Sequence, residues 1–285
     1  SAISNVTEDG GPEEVRGWIP VLLGLLENVN IVEVRVNVRK ILQIILQVVP
    51  DSDAWRRLRH LLSSSNTKVI EESLQVIYSV TEVNKEQSRA VIDAGIVPVL
   101  IQLLADMERD SGIQRHAKAA ISNVTEVGEP EEVKGWIPLL LDLLENDDIQ
   151  NFWSVSEILQ EFLQVVPDPG AWRRLRDLLS SANTEVRDKT FDIIWWVTNV
   201  NKEQSRAAIE AGIVPALIQF VADANPDIRR AVTDSDAWRR LRQLLSSSNT
   251  KVIEESCQVI FYVTKVNKEQ RCMATAPRSA QLGEY

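Results

Sequence analysis

Little in this chain can hold a metal, a phosphate or a covalent cross-link. Cysteine is confined to Cys257 and Cys272, and two thiols cannot staple 285 residues, so the sequence suits a reducing compartment. Histidine is confined to His60 and His116, and neither has a cysteine or second histidine at metal-ligand spacing. A phosphate-cradling glycine loop, Gly-x-Ser-x-Gly and His-Glu-x-x-His are all missing. Positive charge is in deficit: Lys+Arg 31 against Asp+Glu 41 leaves −10, which repels an extended nucleic-acid backbone. The same balance favours basic partners, or simply solubility. No apolar run approaches the ~20 residues of a membrane span. The opening residues carry no basic segment leading into an apolar stretch. These absences argue against nucleic acid, membrane and cofactor, and set the expected location as cytoplasmic or nuclear. The paired acids Glu71-Glu72 and Glu254-Glu255 could do acid–base work in principle. They are read as solubilising residues on helix surfaces, so no catalytic residue, metal ligand or cofactor is assigned.

What the chain does have is internal repetition. Ala2–Glu8 returns as Ala120–Glu126 at an offset of 118, and Gly17-Trp-Ile-Pro20 returns as Gly135-Trp-Ile-Pro138 at the same offset. Ala54-Trp-Arg-Arg-Leu-Arg59 recurs at 171–176 and 237–242, while Asn84-Lys-Glu-Gln87 recurs at Asn201 and Asn267. Between these landmarks the units run near 12–50, 51–83, 84–129, 130–167, 168–200, 201–233 and 234–266. The expectation is a single repeat domain over 1–270 and a disordered tail over 271–285. Near-identity of 51–83 with 234–266 points to internal duplication.

Local signals favour helix throughout. Between Thr67 and Glu82 the apolar residues Val69, Ile70, Leu74, Ile77 and Val80 recur at spacings of three and four. Ser65-Asn66-Thr67 precedes them with capping groups. Pro20, Pro98, Pro138 and Pro215 lie at the starts of apolar runs, where a first helical turn accepts proline. No stretch alternates apolar and polar residues as a half-buried strand would, so the class is all-α.

The segment from Gln87 to Leu104, with Asp93-Ala-Gly-Ile-Val-Pro98 at its centre, resembles an armadillo repeat of the importin-alpha kind. Residues 204–221 and the stretch Ala120–Val124 resemble it too, and the likeness extends over about residues 1–270. It implies a right-handed superhelix of three-helix repeats whose third helices line a concave groove. It also makes Gly95 the corner between a first and a second helix, with the proline starting the next. The units starting at Asp51, Asp168 and Asp234 lack room for a full first helix, and an irregular seam is expected near 226–238.

In such repeats a tryptophan and, four residues later, an asparagine share one face of the third helix and hold an extended ligand. Aligned on Asn123, the asparagine positions here are Gln47, Ser79, Gln164, Trp196 and Tyr262. The tryptophan positions are Gln43, Gln75, Ala119, Gln160, Asp192 and Gln258. The tryptophan array is therefore replaced by a glutamine-rich ladder. Primary amides donate and accept, as pairing with a peptide backbone requires. Glu71, Asp188 and Glu254 lie one turn back, interrupted by Arg39 and Arg115. The alternative is that these are solvated residues on an exposed face. Of the aromatics Tyr78, Trp195-Trp196 and Phe261-Tyr262, neighbours on a helix diverge by about 100°, so one of each pair can face the groove. For the Trp-Arg-Arg-Leu-Arg segments, a basic ridge competes with the preferred reading of a core tryptophan flanked by solvated or ion-paired arginines. The function expected is a protein- or peptide-binding solenoid for an extended, basic segment. A structural or end-to-end self-associating scaffold is the alternative, and an enzyme the least favoured.

Overall fold

A computed structural model of the chain describes residues 12–28, 30–105, 111–146 and 152–213, with Ala216, Leu217 and Phe220. Every regular element among the described residues is an α-helix. In chain order these are α1 Pro12–Asn28, α2 Val32–Val48, α3 Ser52–Leu61, α4 Thr67–Val83, α5 Lys85–Asp93 and α6 Val97–Ala105. They continue with α7 Ser111–Thr125, α8 Pro130–Glu145, α9 Phe152–Val165, α10 Pro169–Leu178, α11 Thr184–Val200 and α12 Lys202–Glu210. None is long and apolar enough on its own to cross a membrane. The chain divides into two compact units between Val166 and Pro167. That is the edge of the repeat over 130–167.

In the first unit, α2, α4, α7 and α9 end successive repeats, and each packs against the next. The other helices close hairpins with them: α1 with α2, α6 with α7, and α8 with α9. Residues 51–83 hold two helices and residues 84–129 hold three. Asparagine and aspartate start these helices. The Asp51 side chain accepts from Ala54 N at 2.9 Å, and Asn66 accepts from Lys68 N at 3.0 Å. Asn84 ends α4 and caps α5 by accepting from the amides of Glu86 and Gln87.

The predicted corner is present. Gly95 has φ +66°, a left-handed conformation glycine adopts without steric penalty, and α5 and α6 are bent by 85° about it. Pro98 is the second residue of α6, within its first turn. In the second unit Gly212, which follows α12, repeats the conformation at φ +80°.

Two prolines do not behave as expected. Pro20 and Pro138 lie in the interiors of α1 and α8 rather than at helix starts. Each helix forgoes one hydrogen bond there. Burial explains why it continues. Val15, Ile19, Leu22, Leu23 and Leu26 form one buried stripe spanning Pro20, and Val133, Ile137, Leu140, Leu141 and Leu144 do the same around Pro138. A break at the proline would turn half of either stripe away from the core.

The Trp-Arg-Arg-Leu-Arg segments are core elements. Trp55 and Leu58 in α3, and Trp172 and Leu175 in α10, are wholly buried. Trp55 Nε1 donates to Gln87 Oε1 at 3.0 Å, and Trp172 Nε1 donates to Gln204 Oε1 at 3.0 Å. One turn on, Arg59 Nη1 donates to the Ala94 carbonyl at 3.4 Å and Arg176 Nη1 to the Ala211 carbonyl at 3.2 Å. These carbonyls lie at the C-terminal ends of α5 and α12, where a cation is favoured. Thus α3 grips both ends of α5, and α10 grips both ends of α12. The remaining arginines pair locally or with a neighbouring helix: Arg56 with Asp53, and Arg57 with Glu27. The third copy at 237–242, Pro215, the seam near 226–238 and the tail 271–285 lie outside the described residues.

Candidate functional site

The helices α2, α4, α7 and α9 bring the predicted ladder positions of the first unit onto adjacent helices. Gln43 and Gln47 on α2, Gln75 and Ser79 on α4, Asn123 on α7, and Gln160 and Gln164 on α9 are all half-buried. Half-burial suits a lining role, because the polar ends stay reachable while the stems pack.

Part of this row is already engaged between repeats. Gln43 Nε2 donates to the Gln75 carbonyl at 3.0 Å and to Ser79 Oγ at 2.9 Å, tying α2 to α4. Asn123 Nδ2 donates to Thr81 Oγ1 at 3.2 Å, tying α7 to α4. Asn84 Nδ2 donates to the Gln47 carbonyl at 2.8 Å. The side-chain amides of Gln47, Gln75 and Gln160 make no hydrogen bond among the described residues. They are the free rungs.

Side-chain ion pairs lie along the same seams. Arg39 on α2 pairs with Glu72 on α4 at 2.6 Å. Glu72 is buried, which corrects its reading as a helix-surface carboxylate. Burial pushes its carboxyl above the usual range, with Arg39 opposing. Lys118 on α7 pairs with Glu157 on α9, and Ser122 Oγ donates to Glu161 Oε2 at 2.8 Å. Desolvation raises the Glu161 carboxyl too, and the Ser122 hydrogen bond works against that shift. Glu71, half-buried, is paired within its own helix to Lys68 at 2.7 Å. Arg115 is exposed. His60 is exposed on α3, whereas His116 faces the Tyr78 ring at a centroid distance of 5.7 Å. The Tyr78 hydroxyl donates to Glu82 on its own helix at 2.9 Å, while its ring contact with His116 links α4 to α7.

In the second unit, Asp188, Asp192 and Trp196 follow one another at four-residue intervals along α11, on one helical face. Asp192 is exposed and Trp196 is 42% exposed, whereas Trp195 is only half-exposed. The adjacent pair thus divides between two faces. Glu254, Gln258 and Tyr262, with Phe261, lie outside the described residues.

Sequence reasoning missed Gln87, Gln204, Thr81, Ser122 and Glu161 as polar partners. For the first two a signal existed. Tryptophan and glutamine stand 32 residues apart in both described copies.

The geometry is that of an all-α helical-repeat protein whose helices α2, α4, α7 and α9 carry half-buried amides. Residues 84–126 match the armadillo/beta-catenin-like repeat. The chain is 25% identical to importin subunit alpha-3 of Arabidopsis thaliana over 240 residues, covering 79% of this chain and 44% of that protein. It is 30% identical to importin subunit alpha-1b of Oryza sativa subsp. japonica over 218 residues, covering 65% of this chain and 40% of that protein. Among solved structures, a designed armadillo repeat protein in complex with the peptide (KR)4 is similar at TM-score 0.42. It is 20% identical, with 92% of this chain and 97% of that one covered. The chain thus carries an armadillo/beta-catenin-like repeat at residues 84–126 and resembles importin alpha beyond it, and it spans less than half the length of the curated relatives it matches.

Proposed function

We propose that this chain is a protein- or peptide-binding repeat protein that holds an extended, basic segment along the polar face of α2, α4, α7 and α9. The observation that carries this reading is the set of uncommitted, half-buried amides of Gln47, Gln75 and Gln160 on that face. An amide that both donates and accepts is suited to a peptide backbone, whose N–H and C=O groups alternate. The likeness to importin alpha and the net charge of −10 support a protein ligand with basic character. On this reading no catalytic step is involved, and the chain works in the cytoplasm or nucleus. The test is binding to an array of extended lysine- and arginine-rich peptides, repeated with Gln75→Ala plus Gln160→Ala. Two lost hydrogen bonds of about 0.5–1.5 kcal/mol each should weaken binding roughly tenfold. Unchanged affinity in the double variant removes the groove assignment.

A structural module that joins other helical repeats is the second reading. The exposed apolar side chains of Trp18, Val21 and Leu25 along α1 favour it.

A further inference from the structure

On the amide face one helix is built differently from its neighbours. Four residues before the positions aligned with Asn123, α2 has Gln43, α4 has Gln75 and α9 has Gln160, whereas α7 has Ala119. All four are half-buried, so their outer parts line the face. Where the other helices project a carboxamide arm, α7 offers a methyl group. Helix α7 packs against both α4 and α9, so the gap in the row is bounded by a described helix on each side. Gln43 is held by Ser79 and the Gln75 carbonyl, while the Gln75 and Gln160 amides to either side of the gap are free.

One wall of the gap is aromatic. Tyr78 follows Gln75 by three residues on α4, and His116 precedes Ala119 by three on α7, which turns both rings toward the shared seam. Their centroids are 5.7 Å apart with the planes at 49°, and both residues are half-buried. His116 Nδ1 is buried with no hydrogen-bond partner among the described residues, so that edge of the imidazole packs as a ring. The other two copies of the unit that holds α4 carry Trp195 and Phe261 at the Tyr78 position. The polar atoms change between copies and the ring is kept. Charges bracket the same place. Arg115, one turn before Ala119 on the same helical face, is exposed and has no ion pair among the described residues. On the other side the Tyr78 hydroxyl holds the Glu82 carboxylate. A ligand cation over Ala119 meets Arg115, and a ligand carboxylate meets Glu82. A neutral ring meets neither penalty. It stacks or tilts against Tyr78 and His116, and it gives the Arg115 guanidinium a face to lie on.

We propose that the segment held along this face carries an aromatic side chain over α7, seated on Ala119 against the Tyr78 and His116 rings and beside Arg115. The inference rests on the reading of α2, α4, α7 and α9 as a groove for an extended peptide, and it narrows the ligand. The amides of Gln75 and Gln160 hold backbone to either side of the ring, and the basic residues of the segment fall at other positions. Ala119 sets the preference by lacking an arm, and Arg115 sharpens it by rejecting lysine.

The test uses the full chain and extended lysine- and arginine-rich peptides in which each position in turn is alanine, leucine, phenylalanine, tryptophan, lysine or glutamate. One position should prefer phenylalanine or tryptophan over alanine by roughly tenfold, with leucine between them and lysine and glutamate below alanine. Ala119→Gln, which restores the arm of the neighbouring helices, should abolish that preference while peptides with alanine there bind as before. Arg115→Gln should admit lysine at the same position. Both variants place a good helix former on an open face, so the fold is retained. The control is Gln75→Ala plus Gln160→Ala, which should weaken every peptide alike. If that double variant weakens binding but no position prefers an aromatic, or the preference persists in Ala119→Gln, the aromatic seat is overturned and the groove stands. Leucine matching phenylalanine would overturn the stacking role, and lysine still rejected by Arg115→Gln would overturn the part given to Arg115. If no peptide binds, or the double variant binds as tightly as the parent, the groove reading falls and the aromatic seat falls with it.

Discussion

The segments Gly95-Ile-Val-Pro98 and Gly135-Trp-Ile-Pro138 share a glycine and a proline at identical spacing, yet one is an 85° corner and the other lies within a continuous helix. The pattern alone therefore does not make the turn. At the corner the preceding repeat holds the short helix α5 at both ends, through Trp55 to Gln87 and Arg59 to the Ala94 carbonyl. Before Gly135 the helix α8 has run for only five residues from Pro130, too few to stand as a separate helix. Its buried stripe runs on through the proline. The difference lies in what neighbouring repeats offer each segment.

The comparison breaks most strongly at Trp55. We expect Trp55→Ala to cost about 3–5 kcal/mol in urea unfolding, by leaving a large cavity and an unpaired Gln87 oxygen. Trp55→Phe alone should cost about 1–3 kcal/mol from the orphaned amide, and adding Gln87→Met should recover most of it. Next come the glycines, where the signs should oppose. Gly95→Val meets a left-handed backbone worth about 1–2 kcal/mol, and Arg59 Nη1 would lie 3.3 Å from the new Cβ. Gly135→Ala meets nothing within 4 Å and should stabilise by about 0.5–1 kcal/mol, read from the same urea curves. Matching signs would mean that the two segments do not differ as described. Arg59→Met should cost about 0.3–1 kcal/mol through the lost helix-end interaction, with added salt shrinking the difference.

The smallest expected effect concerns a bridge between the two segments. Arg89 on α5 donates to Glu132 on α8 at 2.7 Å, and Glu132 also accepts from the Glu129 amide at 2.9 Å. The Arg89 hydrogen bond, ahead of other causes, holds the Glu132 carboxyl below its ordinary range. A depressed carboxyl stabilises the fold above its unfolded value, and that contribution disappears as pH falls through the folded value. Glu132→Gln should therefore flatten the acid side of a melting-temperature profile and leave its neutral side slightly lower. The pair is partly exposed, so screening keeps the effect small.

The all-α class and helices such as α4 were legible because apolar spacing and capping residues are local properties. Asn66, Asn84 and Asp51 announce helix starts by their own chemistry. Gly95 was legible for the same reason. The interiors of α1 and α8 were misjudged because Pro20 and Pro138 carry a local signal that burial of a long apolar stripe outweighs. In the ladder, spacing put Gln43, Gln75 and Gln160 on repeat-ending helices. It could not show that the Gln43 amide is already bonded to the next repeat while the Gln75 and Gln160 amides are free, since that depends on distances between helices. Glu72 was misplaced at the surface because its partner, Arg39, lies one repeat away.

The tryptophan–glutamine bond reaches across a repeat boundary, and this bears on how such chains can be cut and recombined. Trp238 and Gln270 preserve the spacing of 32 found in the other two pairs. A breakpoint between residues 83 and 84 separates Trp55 from Gln87, whereas one between 129 and 130 leaves the pair together. Exchange should therefore keep unit 51–83 together with unit 84–129, as the three-unit, 118-residue internal repeat of the sequence does, and libraries made by shuffling this scaffold should retain folded members when such blocks move whole.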